Sequence, residues 1–142
     1  MRFTVYGNPV AKGRPRFTRQ GSFVKSYTPE KTVNYENLVK ISFDMCEEKE
    51  KLEGELAVSL MVYCSIPKST SKKKKALMLN GDIRPTTKPD LDNIAKAILD
   101  SLNGRAFDDD KQVVSLIVQK YYSDTPRVEI EIVRCSDGKI FR

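Results

Sequence analysis

Residues 56–67 read Leu56-Ala57-Val58-Ser59-Leu60-Met61-Val62-Tyr63-Cys64-Ser65-Ile66-Pro67. Leu56, Val58, Leu60, Val62, Cys64 and Ile66 recur with a strict period of two, which predicts a long β-strand that Pro67 closes. Outward from this strand the periodicity changes. Downstream, Leu91, Ile94, Ala95, Ile98 and Leu102 fall on one face of a helix that stops at Asn103-Gly104. Val114, Leu116 and Val118 then alternate, as do Val128, Ile130 and Ile132, and Ser123-Asp124-Thr125-Pro126 between them predicts an antiparallel hairpin. Upstream, Thr28-Pro29-Glu30 reads as a helix start: a hydroxyl cap, proline at the first helical position and an acid in the first turn. Tyr35, Leu38, Val39 and Cys46 keep helical spacing from there to about Glu48. Arg2–Tyr6 reads as a first strand, residues 7–27 as a loop or irregular hairpin, 70–80 as a short basic helix and 81–89 as a loop. The expectation is an α+β fold: a single domain over residues 1–142, with a mixed β-sheet packed by helices.

Composition narrows the chemistry. The 142 residues suit one domain, and 39% hydrophobic against 31% charged is the balance of a folded chain. No apolar run approaches the ~18 residues of a membrane span, and Met1–Tyr6 has no signal-peptide core, so a soluble, cytoplasmic protein is expected. Cys46, Cys64 and Cys135 stand far apart without a CxxC, which argues against a disulfide framework. The chain has no histidine. Ser-His-Asp and Cys-His nucleophiles and His-based zinc sites are therefore excluded. Carboxylates, lysines, hydroxyls or an oxygen-bound metal remain. Neither GxxxxGK[ST] nor GxGxxG occurs, so no nucleotide cofactor is expected.

Charge is unevenly spread. The net charge is +6, yet residues 7–29 alone carry +5 (Lys12, Arg14, Arg16, Arg19, Lys25, no acid). Residues 66–89 carry +6, from Lys68, Lys72, Lys73, Lys74, Lys75, Arg84 and Lys88 against Asp82. Two basic segments on an otherwise acidic body suit a polyanion such as a phosphate backbone. For Lys72–Lys75 the plain alternative is a solvated helix face. In 12–25, Phe17 and Phe23, with Tyr27 just beyond, interleave with the cations among glycines and prolines. Such a ribbon fits contact with phosphates and exposed bases. The alternative is a basic hairpin whose aromatics face the core.

The remaining chemistry lies between Lys88 and Gln112: Lys88-Pro89-Asp90-Leu91-Asp92-Asn93-Ile94-Ala95-Lys96, then Asp100, then Phe107-Asp108-Asp109-Asp110-Lys111-Gln112. Asp90 falls in the cap region of the helix and Asp92 in its first turn, where the helix dipole favours negative charge. Asp92, Lys96 and Asp100, four apart, share one helix face. Six residues of loop after Gly104 can span ~20 Å, so Asp108–Asp110 can reach back to Asp90 and Asp92. Carboxylates gathered there would repel and raise one another's pKa, a conflict that Mg²⁺ (with Mn²⁺ as the ion able to replace it) resolves. Such a metal activates water and stabilises charge at a scissile phosphate, and Lys96 could orient the water or the phosphate. The commonplace alternative is a solvated helix start and an Asp-rich turn, with Lys96 an i,i+4 partner of Asp92 and Asp100.

Taken together, Lys88-Pro89-Asp90-Leu91-Asp92-Asn93-x-x-Lys96, Asp100, Leu102-Asn103-Gly104 and Asp109-Asp110-x-Gln112-Val113 resemble the signature of the RusA family of Holliday junction resolvases. Gly7-Asn8-Pro9-x-x-Lys12-x-Arg14-Pro15-Arg16 and Tyr27-Thr28-Pro29 resemble its Gram-positive, phage and prophage branch, so the likeness covers most of the chain. The resemblance implies an α+β homodimer that resolves four-way DNA junctions by paired symmetric nicks with Mg²⁺, in a bacterial or phage-infected cytoplasm at the nucleoid. It implies Asp90, Asp92 and Asp110 as metal ligands, with Asp109 the fallback for the third, and Lys96 as the essential lysine. Lys12, Arg14, Arg16, Arg19, Lys72, Lys73, Lys74, Lys75, Arg84 and Lys88 are the candidate DNA contacts. A C2 dimer suits a junction of approximate two-fold symmetry. The alternatives are a nuclease of broader taste for forks and flaps, and a non-catalytic nucleic-acid-binding module.

Overall fold

The structure, a computed structural model, describes residues 1–138. Residues 139–142, which the expected domain includes, lie outside the described residues. The chain runs β1 (Arg2–Tyr6), β2 (Arg16–Gln20), β3 (Phe23–Tyr27), α1 (Glu30–Asp44), β4 (Leu56–Ser65), α2 (Lys72–Leu79), α3 (Leu91–Leu102), a 3-10 turn (Asp110–Gln112), β5 (Val113–Ser123), β6 (Arg127–Arg134) and a second 3-10 turn (Cys135–Asp137). The architecture is α+β. A four-stranded mixed sheet has the order β1-β6-β4-β5, and β2-β3 form a separate two-stranded ribbon.

The strand that anchors the sequence reading is also central in the sheet. All five residues Leu56–Leu60 of β4 are buried, on both faces of the strand. A strand buried on both faces needs a neighbour on each edge. β4 has them: β5 runs parallel to it on one side and β6 antiparallel on the other. This corrects the hairpin predicted at Ser123–Pro126. The chain does reverse there, but β5 and β6 are not hydrogen-bonded to each other, because β4 lies between them. The turn residues encode the reversal, and the burial of β4 decides the pairing.

The parallel β4–β5 pair requires a long crossover connection. That connection is residues 66–112, and it contains the whole Lys88–Gln112 segment. α1 and α3 pack against each other and cover the sheet face that carries Phe3, Val5, Val58, Leu60, Val62 and Ile130. α3 contributes Ile94, Ala95, Ile98 and Leu102 to this core. On the edge strand β5 the apolar alternation is only partly covered: Val118 packs on the core, while Val114 and Leu116 remain exposed. α1 begins one residue later than read, with Pro29 rather than Thr28 at its N-cap. All three cysteines are free thiols. Among the described residues no helix is long and apolar enough to cross a membrane.

Candidate active site and nucleic-acid interface

Asp90 is the N-cap of α3, but its side chain makes no capping hydrogen bond. An N-cap aspartate ordinarily accepts from the backbone N–H of the first turn. Asp90 leaves that carboxylate exposed at the mouth of a cleft of about 810 Å³. Three segments meet there: the stretch before β2, the first turn of α1 and the start of α3. Arg14, Arg16, Lys31 and Lys88 line the cleft with Asp90 and Asn93, so four cations share its walls with one carboxylate. Lys31 was absent from the sequence reading, and its signal was weak, one lysine beside Glu30 in a helix first turn.

The cleft is held shut at its root by backbone. The Lys12 N–H donates to the Asn93 carbonyl at 3.0 Å, and the Gly13 N–H donates to Thr32 Oγ1 at 2.9 Å. Gly13 is the residue the contact requires, since a Cβ there would stand 2.8 Å from Thr32 Oγ1 and 2.9 Å from Pro29 Cγ. The Lys12 ammonium differs from the other candidate cations. It pairs with Glu36 at 2.8 Å and Asp100 at 3.5 Å and is only 21% exposed. Its pKa is raised: burial works against the charge, but the hydrogen bond and charge of Glu36, with Asp100 behind, outweigh it. Lys12 thus ties α1 to the charged face of α3.

Beyond α3, Phe107 is fully buried and anchors the turn that carries the three aspartates. Gln112 fixes its shape. The Gln112 side-chain oxygen accepts from the Asp108 and Asp109 N–H groups at 3.0 and 3.2 Å, and its nitrogen donates to the Gly54 carbonyl at 3.1 Å. Asn103 Oδ1 accepts from the Asp110 N–H at 2.9 Å. The aspartates then separate in role. Asp108 pairs with Lys51 at 2.5 Å. Asp109 caps the 3-10 turn, accepting from the Lys111 N–H at 2.9 Å, and that bond holds its carboxyl below the usual range. Asp110 is partly buried, and its carboxyl is raised by that burial, by its hydrogen bond with Asp109 and by the charges of Asp109 and Asp100, with Lys96 opposing.

The loop therefore returns to α3, but the helix charges that act on Asp110 are Lys96 and Asp100, one and two turns along from Asp92, rather than Asp90 and Asp92 themselves. Among the described residues no group of three or more Asp, Glu or Cys side chains is gathered closely enough to hold a metal ion. The donor set itself is all oxygen, the kind a hard divalent cation takes. Burial, and after it the neighbouring Asp109 and Asp100, raise Asp110, and a bound cation would relieve the charge part of that conflict.

The other candidate cations lie elsewhere. Arg19 and Lys25 sit on the exposed ribbon. Lys72–Lys75 occupy the exposed first turn of α2 and do not line the cleft, and Lys75 pairs with Asp124 at 3.1 Å. Arg84 lies over the Tyr121 ring at 4.3 Å, while its Nε donates to the Lys120 carbonyl at 2.8 Å. Lys120 is a residue the sequence reading passed over. It is buried, and its ammonium donates to the Thr87 carbonyl at 2.6 Å, stapling the strand to the loop that leads into Lys88 and Asp90. Its signal was legible: Lys120 continues the Val114-Leu116-Val118 alternation and so puts a charge on an apolar face.

Two comparisons bear on this arrangement. The family model described as endodeoxyribonuclease RusA matches residues 6–133. The chain is also 42% identical over 134 residues to the uncharacterized protein YqaN of Bacillus subtilis (strain 168), a match that covers 93% of this chain and 94% of that one.

Proposed function

The chain belongs to the RusA endodeoxyribonuclease family, and from that premise we propose that it is a divalent-cation-dependent endonuclease that resolves four-way DNA junctions by paired nicks. The observation that carries this reading is the cleft that Arg14, Arg16, Lys31 and Lys88 line together with the uncapped carboxylate of Asp90. Four cations and one acid in the walls of a cleft attract a phosphate backbone and leave a carboxylate ligand in the same cleft. Asp90, Asp92 and Asp110 are the residues that would hold Mg²⁺. The bound ion would supply activated water and charge stabilisation at the phosphate. Asp110 is preferred to Asp109 as the third, because Asp109 is occupied as a cap while Asp110 faces the charged side of α3.

The chain's own groups do the rest. Arg14, Arg16 and Lys88 bind and orient the backbone phosphates. Lys96, between Asp92 and Asp100 on the exposed face of α3, offers an ammonium to the scissile phosphate. Lys12 offsets one of the two negative charges that Glu36 and Asp100 bring beneath the cleft. A homodimer would present two such sites to the paired strands of a junction.

The test is cleavage of an end-labelled four-way junction, beside fork and linear duplex, by wild type and Asp92→Asn in Mg²⁺ or EDTA. Paired nicks confined to the junction, abolished by EDTA and by the substitution, are the expected result. Equal cutting of forks or flaps would make it a broader branched-DNA nuclease. Tight binding without cutting in Mg²⁺ or Mn²⁺ would overturn the catalytic assignment.

A further inference from the structure

The β2-β3 ribbon buries none of its ten residues. A two-stranded ribbon laid on a protein surface would hide one face, and an isolated one is marginal in water. This one keeps both faces open, closed at its tip by the two-residue turn Gly21-Ser22. Gly21 takes the positive φ, +62°, that the first central position of a II′ hairpin turn requires. The register sorts its side chains. Phe17 pairs across from Ser26 and Arg19 from Val24 on one face; Arg16 pairs with Tyr27 and Gln20 with Phe23 on the other. Each face therefore carries an aromatic ring together with a cation. Phe17 is 71% and Phe23 77% exposed, far more than any core role would leave.

We propose that the ribbon is a wedge that enters the opening of branched DNA, with Phe17 on one face and Phe23 on the other stacking on bases exposed at the branch point, and that this insertion makes the enzyme prefer branched over linear DNA. The proposal rests on the junction reading above and names the element that selects the substrate. A basic clamp needs only cations and one face toward the duplex. Rings on both faces need π-surfaces on both sides, and an intact duplex offers none while a branch point does. The ribbon extends about 17 Å, five residues at ~3.4 Å each. Charge excludes a second copy of the ribbon as its occupant, since residues 7–29 hold five cations and no acid. The ribbon springs from the stretch that lines the cleft beside Asp90, so a wedge at the branch and a phosphate at the carboxylates are served by one continuous segment.

The experiment uses the full chain carrying Asp92→Asn to prevent cutting, and four-way junctions with 2-aminopurine either at the branch or at mid-arm. Binding should change the fluorescence of the branch probe and leave the mid-arm probe unaltered. Replacing both rings (Phe17→Ala with Phe23→Ala) should abolish that change and weaken junction binding about tenfold or more. Linear-duplex binding and the salt slope should stay as they were. Because both rings are exposed, retained duplex binding reports a folded protein. Equal loss on junction and duplex, or a branch probe that never responds although the wild type binds, would overturn the wedge while leaving the nuclease reading intact. A double variant that changes the oligomeric state in sedimentation would overturn it in favour of a contact between copies. A wild type that binds no junction at all would remove the premise and the wedge together.

Discussion

Three consecutive aspartates do three different things. Asp108 faces Lys51, Asp109 caps a 3-10 turn, and Asp110 is turned toward Lys96 and Asp100. Identical side chains diverge because Phe107 is locked in the core and Gln112 holds the two following N–H groups, so each Cα–Cβ bond is aimed before solvent has a say. Asp110→Asn should lower junction cleavage about 10²–10³-fold with little change in binding. Asp109→Asn should cost far less, because asparagine caps as well as aspartate does. Single-turnover cleavage of both variants checks this, and the reverse order of effects would move the third ligand to Asp109. Lys12 carries a second prediction. Its removal in Lys12→Met leaves Glu36 and Asp100 facing each other with no cation between them. Urea denaturation should show a loss of about 1–3 kcal/mol, largely restored by Lys12→Arg. An unchanged midpoint would mean the triad is incidental.

At the scale of elements, α3 and the basic ribbon are joined where they begin. The Lys12–Asn93 and Gly13–Thr32 bonds place the arginine-bearing root of the ribbon against the N-terminal turns of both α1 and α3. The carboxylate that opens α3 and the cations that precede β2 are thus close, although some 75 residues separate them in the chain. Arg14→Ala and Arg16→Ala should weaken junction binding, and each should flatten the dependence of log affinity on log salt by roughly one unit per lost phosphate contact. Fluorescence anisotropy across a salt series measures it, and an unaltered slope would remove these residues from the interface. The Lys72–Lys75 run of α2 lies off the cleft. The same substitutions there should move the slope less.

For the molecule as a whole, the parallel β4–β5 pair is what makes the site possible. It forces a crossover, and the crossover carries every candidate catalytic residue over the sheet in a single excursion. One chain presents one such site, whereas paired nicks on a junction need two. Sedimentation velocity should therefore show a species of twice the 16.2 kDa chain mass, and a junction should saturate with two chains. A monomer that still made paired nicks would contradict the symmetric reading.

Much of this was written locally. The period-two run at 56–66, the helical face at 91–102 and the turn chemistry at Gly104 need only neighbours a few residues away, so each element could be read before any fold was known. The excess of cations at 7–29 and the spacing of Asp90, Asp92 and Lys96 were equally local. Tertiary structure decided what locality cannot encode. It set β4 between β5 and β6, where the turn alone suggested a hairpin. It turned Lys12 inward to two acids from α1 and α3, brought Lys31 to the cleft and buried Lys120 against Thr87. It also kept both faces of the ribbon in solvent. The physical reason is the same in each case. Periodicity reports which face of an element is apolar, whereas pairing and charge contacts depend on which distant surface that face is pressed against, and that is settled only when the whole core closes.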